Sequence, residues 1–171
     1  MKKQTKKIIE TEVYAREQLH KENNINCKVI AVPGSPSSYM VRDKIISELN
    51  IDQNRFTRLI HRNATVSPLA KIGYNVVLMA GVVITSNAVI GNHVCILPNT
   101  VIHHDSEIED YTLIGSNVTV AGHVKIGKKC YIGSGTSIIN NSTIGDNTLV
   151  GIGSNVINSF SQNLKIAGNP A

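Results

Sequence analysis

Between Ile60 and Val156 every sixth residue is Ile, Val or Leu, running Ile60, Val66, Ile72, Leu78, Ile84 and on without a gap through Ile144, Val150 and Val156. All seventeen slots are filled, although these three residue types occupy only 49 of the 171 positions. The residue four places after each slot is small or β-branched almost throughout, from Ala64 and Ala70 to Thr148 and Ser154. A period of six suits no helix face, because 3.6 residues per turn would scatter the aliphatics around the axis. It does suit a flat strand of a few residues followed by a tight corner. Gly and Asn supply the unusual backbone angles that corners need, and Asn75, Asn87, Asn99, Asn117 and Asn147 share one slot of the hexad.

Composition narrows the function classes. With five Tyr, two Phe and no Trp, the core has to be built from aliphatic and small residues. The length allows one domain with an appendage, or two small ones. No apolar run is long enough to span a bilayer. The basic start "MKKQTKKIIETEVY" is not followed by an apolar signal segment, so a cytoplasmic protein without membrane insertion is expected. Cys27, Cys95 and Cys130 are odd in number and lack C-x-x-C spacing, which argues against a disulfide framework or a zinc knuckle. The formal charge of +5 is dispersed and carries no interleaved aromatics, which argues against nucleic acid as a partner.

Residues 1–59 do not carry the hexad and read as a short α/β segment. "KKIIETEVYAREQLHKEN" suits a charged amphipathic helix and "CKVIAV" a short buried strand. "SSYMVRDKIISELN" suits a helix with Met40, Val41, Ile45, Ile46 and Leu49 toward one side. The loop "VPGSPSS" between strand and helix offers backbone N–H groups to a phosphate, or is plain turn punctuation.

From about Lys28 onward, the order of strand, loop and helix, the junction "LIHRNATVSP", the stretch "VIHHDSEIEDYTLIGSNVTVAGHVKIG" and the ending "KIAGNPA" resemble one family. It is the sialic acid O-acetyltransferase and UDP-amino-sugar N-acetyltransferase family of hexapeptide-repeat enzymes. The resemblance implies a mainly β chain: a left-handed parallel β-helix over 60–161, with three hexads per triangular coil, preceded by the α/β segment 1–59 and followed by a tail at 162–171. It implies an acetyl-CoA-dependent enzyme that acetylates an amino or hydroxyl group of a sugar in bacterial surface-glycan synthesis, working as a homotrimer. Family members begin with a complete nucleotide-binding α/β domain, of which only the second part is expected here. The position matching the family's second histidine is Leu113.

Three hexads per coil stack residues eighteen apart, at about the 4.8 Å spacing of paired strands. The slot just before the aliphatic then forms one apolar column, Val77, Cys95, Leu113, Tyr131 and Leu149. Such a strip is either a seam between copies of the chain or lies beneath the N-terminal segment.

By the same resemblance His104 is the general base and Asp105 the acid that orients it. A placed base is typically worth about 10² to 10⁴ in rate, and histidine suits the task near neutral pH. Stacking adds that Gly122 lies over His104 and His123 over Asp105. A residue without a side chain leaves room for a thioester, and its N–H can polarise the carbonyl. Family placement carries coenzyme A contacts onto Gly122, Ser134 and Ile152. Lys128, Lys129 and Lys165 are candidates for its phosphates, or simply solvated charges. His103 is read as an outward imidazole without a role. No metal is expected, since His93, His103, His104 and His123 lack the H-x4-H spacing of the zinc-dependent carbonic anhydrases built on this prism. The competing functional reading is a non-catalytic trimeric binding or assembly module of the same fold.

Overall fold

The computed structural model describes residues 19–21, 26–32 and 34–171. The charged helix expected over 6–23 falls outside the described residues except at 19–21. From Leu59 onward the chain winds as a left-handed parallel β-helix whose strands are two residues long. They line up as three parallel sheets, the faces of a triangular prism. The first face has seven strands, from Leu59–Ile60 through Cys95–Ile96 and Leu113–Ile114 to Lys165–Ile166. The second has six, from Thr65–Val66 to Asn155–Val156, and the third five, from Lys71–Ile72 to Thr143–Ile144.

Register follows the hexad. Leu113 pairs with Cys95 and Tyr131, and Thr119 with Val101 and Ser137, so partners stand eighteen residues apart. The aliphatic slot points inward: Ile96, Ile102, Ile108, Ile114, Ile126 and Ile132 are each 0% exposed. Burying one such side chain is worth about 1.5–3 kcal/mol relative to leaving it in water. Hydroxyls at the second inner slot stitch adjacent coils without leaving polar atoms unpaired. Thr112 Oγ1 donates to the Gly127 carbonyl at 2.8 Å and accepts from the Cys130 N–H at 3.0 Å, for example. From Asn75 to Gly153 every sixth residue has φ between 51° and 73°. This is the left-handed corner that Asn and Gly adopt most easily, and one such slot holds Asp105 and another His123.

The ladder runs in frame to Val156, and then one coil is two residues short. Leu149 pairs with Lys165 and Ile144 bridges to Phe160, both across sixteen residues. Lys165–Ile166, inside the stretch expected as a tail, is therefore the last rung of the first face.

The N-terminal segment lies on that first face. Tyr39 packs into a buried cluster with Val77, Cys95 and Leu113, flanked by Ile30, Leu97, Tyr131 and Leu149. The apolar column is thus covered within the chain, which corrects its reading as a seam between copies. The expected strand "CKVIAV" is reduced to a single bridge between Val29 and Phe56. The expected helix is a 3-10 turn over Tyr39–Val41 followed by an α-helix, α1, over Arg42–Ser47. Its buried side is Tyr39, Arg42 and Ile46, while Met40 and Val41 face solvent. The tighter 3-10 turn shifts the phase of everything after it, which an unbroken 3.6-residue period misses.

Polar contacts pin this cover to the corner between the third and first faces. Asn75 clamps Ala31 like a strand partner, accepting from its N–H at 2.8 Å and donating to its carbonyl at 2.9 Å. Arg42 Nη2 donates to the His93 carbonyl at 2.8 Å. Asp43 pairs with Lys129. Among the described residues, no helix is long and apolar enough to cross a membrane.

Candidate active site

The corner between the second and third faces stacks Ser86, His104, Gly122 and Asn140, with Asn87, Asp105, His123 and Asn141 at its left-handed slot. Backbone bonds hold the rungs together: Asp105 N–H donates to Ser86 O at 3.0 Å and His123 N–H to His104 O at 3.0 Å. No element of the N-terminal cover reaches this corner among the contacts described, and His104 and Asp105 are exposed.

His104 Nδ1 lies 2.8 Å from Asp105 Oδ2. The hydrogen bond from His104, then the one from Asn87 Nδ2 to Asp105 Oδ1 at 3.0 Å, hold the Asp105 carboxyl below the usual carboxylate range. An ionised carboxylate only accepts, so Nδ1 is the donor and carries the ring proton in the neutral imidazole. The lone pair is left on Nε2. His123, expected over Asp105, is there, but its Nε2 stands 3.9 Å from Oδ2 and it loses the carboxylate to His104. The two imidazoles meet edge to face with centroids 5.1 Å apart.

The His104 ring is packed against Gly122. A Cβ on Gly122 would lie 2.7 Å from His104 Cε1 and 2.8 Å from Nε2, closer than real side chains approach. Only glycine lets the ring occupy this place. At equivalent corners a side chain one coil on caps the backbone N–H: Asp110 Oδ1 accepts from Asn92, Ser134 Oγ from Ser116, and Asp146 Oδ1 from Lys128. Asn140, above Gly122, makes no such bond among those described.

The structure therefore brings His104, Asp105 and Gly122 together, and places Ser134 and Ile152 elsewhere. Those two stack at the next corner, between the first and second faces. Ser134 Oγ is engaged by the Ser116 N–H at 3.1 Å, and Ile152 is 79% exposed. Between the two corners runs the second face, with a 380 Å³ groove lined by Ser137, Ile139, Asn155, Ile157 and Pro170. Lys128 and Lys129 stand at the third corner, and Lys129 is occupied by Asp43. Sequence reasoning missed Asn87, although the interval of eighteen that places Gly122 over His104 also places Asn87 under Asp105.

Residues 87–122 match the bacterial transferase hexapeptide (six repeats) family. No curated protein matches the chain in sequence. Among solved structures, a variant of perosamine N-acetyltransferase from Caulobacter crescentus, in complex with CoA and GDP-perosamine, is 28% identical with a TM-score of 0.73, over 78% of this chain and 63% of that one. The acetyltransferase domain of PglB from Neisseria gonorrhoeae, in complex with acetyl coenzyme A, is 27% identical with a TM-score of 0.72, over 78% and 65%. WeeI from Acinetobacter baumannii is 25% identical with a TM-score of 0.72, over 78% and 66%. The chain thus spans less than two thirds of the length of each.

Proposed function

The chain is a hexapeptide-repeat protein, and from that premise we propose that it transfers an acetyl group from acetyl-CoA to an amino or hydroxyl group of a sugar in surface-glycan synthesis. One observation carries the reading: the His104 ring lies against bare Gly122 with Nδ1 held by Asp105, which leaves Nε2 as the free base. Two likenesses support the reading, both named acetyltransferases and solved with CoA or acetyl-CoA, and one of them also with a nucleotide-linked amino sugar.

In the proposed reaction His104 Nε2 takes the proton from the acceptor as its nitrogen or oxygen attacks the thioester carbonyl. Asp105, ionised and fixed by Asn87, holds the ring in the required tautomer and offsets the charge of the imidazolium. The Gly122 N–H stabilises the developing oxyanion. Collapse breaks the C–S bond, and the imidazolium returns its proton to the departing thiolate. We place coenzyme A across the second face, from Gly122 through the groove at Ser137 and Asn155 to Ser134 and Ile152.

The site faces open solvent in one chain, with the His104 side chain 51% exposed. Catalysis of this kind gains from excluding water, and we propose that a homotrimer brings a second copy against this corner. Three free cysteines, Cys27, Cys95 and Cys130, are consistent with a cytoplasmic location. The test is a mass-detected screen of sugars and nucleotide-linked amino sugars with acetyl-CoA. Acetylated product that disappears in His104→Ala supports the reading. Product formation unaffected in that variant overturns it, and no product from any acceptor, with a trimer in solution, returns the chain to the non-catalytic module.

A further inference from the structure

Three donor atoms at this corner, one each from His104, Asp105 and His123, lie within 4.8 Å of one another. Acetyl transfer as proposed above uses two of these residues and leaves His123 idle. We propose that the three residues bind a divalent transition-metal ion of the zinc type, and that the bound ion switches the His104 base off. The second half of this inference rests on the proposed function; the first half does not.

Two imidazoles and one carboxylate are ligands for zinc, copper or nickel, and a poor set for magnesium or calcium, which favour all-oxygen sites. Zinc bonds of about 2.0–2.2 Å in a tetrahedron put donor atoms roughly 3.3–3.6 Å apart. The two distances to the carboxylate bracket that value, at 2.8 Å between His104 Nδ1 and Asp105 Oδ2 and 3.9 Å between His123 Nε2 and Oδ2, and all three donor atoms lie within 4.8 Å of one another. Within one chain the side chains are 51%, 37% and 55% exposed, so rotations about their χ angles meet no packed neighbour of the same chain on the open side. The backbone positions are fixed: Asp105 and His123 occupy successive left-handed corners, and the His123 N–H is tied to His104 O at 3.0 Å. Asn87 occupies Asp105 Oδ1 and leaves Oδ2 as the ligand oxygen, the kind of outer support that orients a metal-binding carboxylate. A water completes the fourth position.

The consequence for the base follows from proton bookkeeping. A neutral imidazole carries one N–H, now on Nδ1 facing Asp105. When the ion takes the Nδ1 lone pair, that proton moves through solvent to Nε2, and Asp105 Oδ2 exchanges its hydrogen bond for the ion. No net proton is released from this ring, and no redox change occurs. Nε2, now an N–H, can no longer accept the proton of an attacking amine or alcohol.

Zinc chloride titrated calorimetrically into the purified protein tests the site, with His123→Asn as the comparison. Asn is at home in the left-handed slot, as at Asn87 and Asn141, so the variant keeps the corner. The expected result is one ion per chain at this corner, bound at least about tenfold more weakly in His123→Asn. Acetyl transfer by the wild type should fall as zinc saturates the site, and His123→Asn should keep its turnover and need at least about ten times more zinc for the same inhibition. Absent binding, or binding equal in both proteins (as at the exposed Cys27 thiol), overturns the site. Turnover that persists with the site saturated overturns the switch. Zinc binding by a protein that acetylates nothing counts against the proposed function and leaves the site standing.

Discussion

Two histidines one hexad-slot type apart, His93 and His104, show how one repeat produces opposite chemistry. His93 sits in a left-handed slot at the corner where the N-terminal segment docks; it is 3% exposed. It stacks on Tyr111 with ring centroids 4.6 Å apart and contacts Phe56 and Tyr74 edge-on. Burial, outweighing the attraction of Asp110, lowers its pKa to about 4. His104, at an uncovered corner of the next coil, has a carboxylate partner and open solvent. The two corners share one backbone ladder, with His93 and Asp105 in equivalent left-handed slots and His104 one slot earlier. The corners differ in cover, so in this fold the repeat builds corners and the non-repetitive segment decides which of them it encloses.

The largest effect is expected at the open corner. His104→Ala should cut acetyl transfer by about 10² to 10⁴ while the melting temperature stays near that of the wild type; a large stability loss would mean that the ring belongs to the core after all. Gly122→Ala comes next. Its backbone angles suit alanine, but the new methyl group would fall within 2.8 Å of His104 Nε2. The ring must move, and a loss of about 10- to 100-fold in kcat with an unchanged fold is expected, at the scale seen when a reacting group is misplaced by about an ångström. Asp105→Asn keeps the left-handed slot but removes the negative charge and leaves one acceptor oxygen where Asn87 and the His104 Nδ1 proton now use two. Rates should fall by about tenfold to a hundredfold, the scale of lost orienting partners, and by less than for His104→Ala.

At the covered corner the effect is on stability and on its pH dependence. His93 has a folded pKa of about 4 against an ordinary 6.5, so between these values the unfolded chain binds more protons than the folded one. Stability is then full above about 6.5 and declines as pH falls toward 4, by up to about 3 kcal/mol. In His93→Asn this part of the acid sensitivity should vanish from denaturant titrations at pH 7 and pH 5. A wild type equally stable at both pH values would contradict the buried, neutral imidazole.

The prism was legible in the sequence because each coil repeats the same physical problem. Ile, Val or Leu in one slot and a left-handed residue in another recur every six residues, and the interval of eighteen then puts Gly122 on His104. That rule reaches Asn87 as well. The cover was not legible, since its contacts have no period. Tyr39 reaches Cys95 and Leu113, and Arg42 reaches the His93 carbonyl fifty-one residues away. Only these contacts decide that the apolar column is enclosed. The short final coil was hidden for a related reason: Ser159 Oγ caps the Thr143 N–H at 2.9 Å and Phe160 takes the place of the next aliphatic slot.

The most direct measurement is a side-by-side comparison of acetyl-CoA consumption, with one accepted sugar, by the wild type, His104→Ala and His93→Asn. A loss of at least about 10² in His104→Ala, with His93→Asn turning over near the wild-type rate at pH 7, is the predicted result. Equal losses in both variants, or full turnover without the His104 imidazole, would contradict the assignment of chemistry to the uncovered corner.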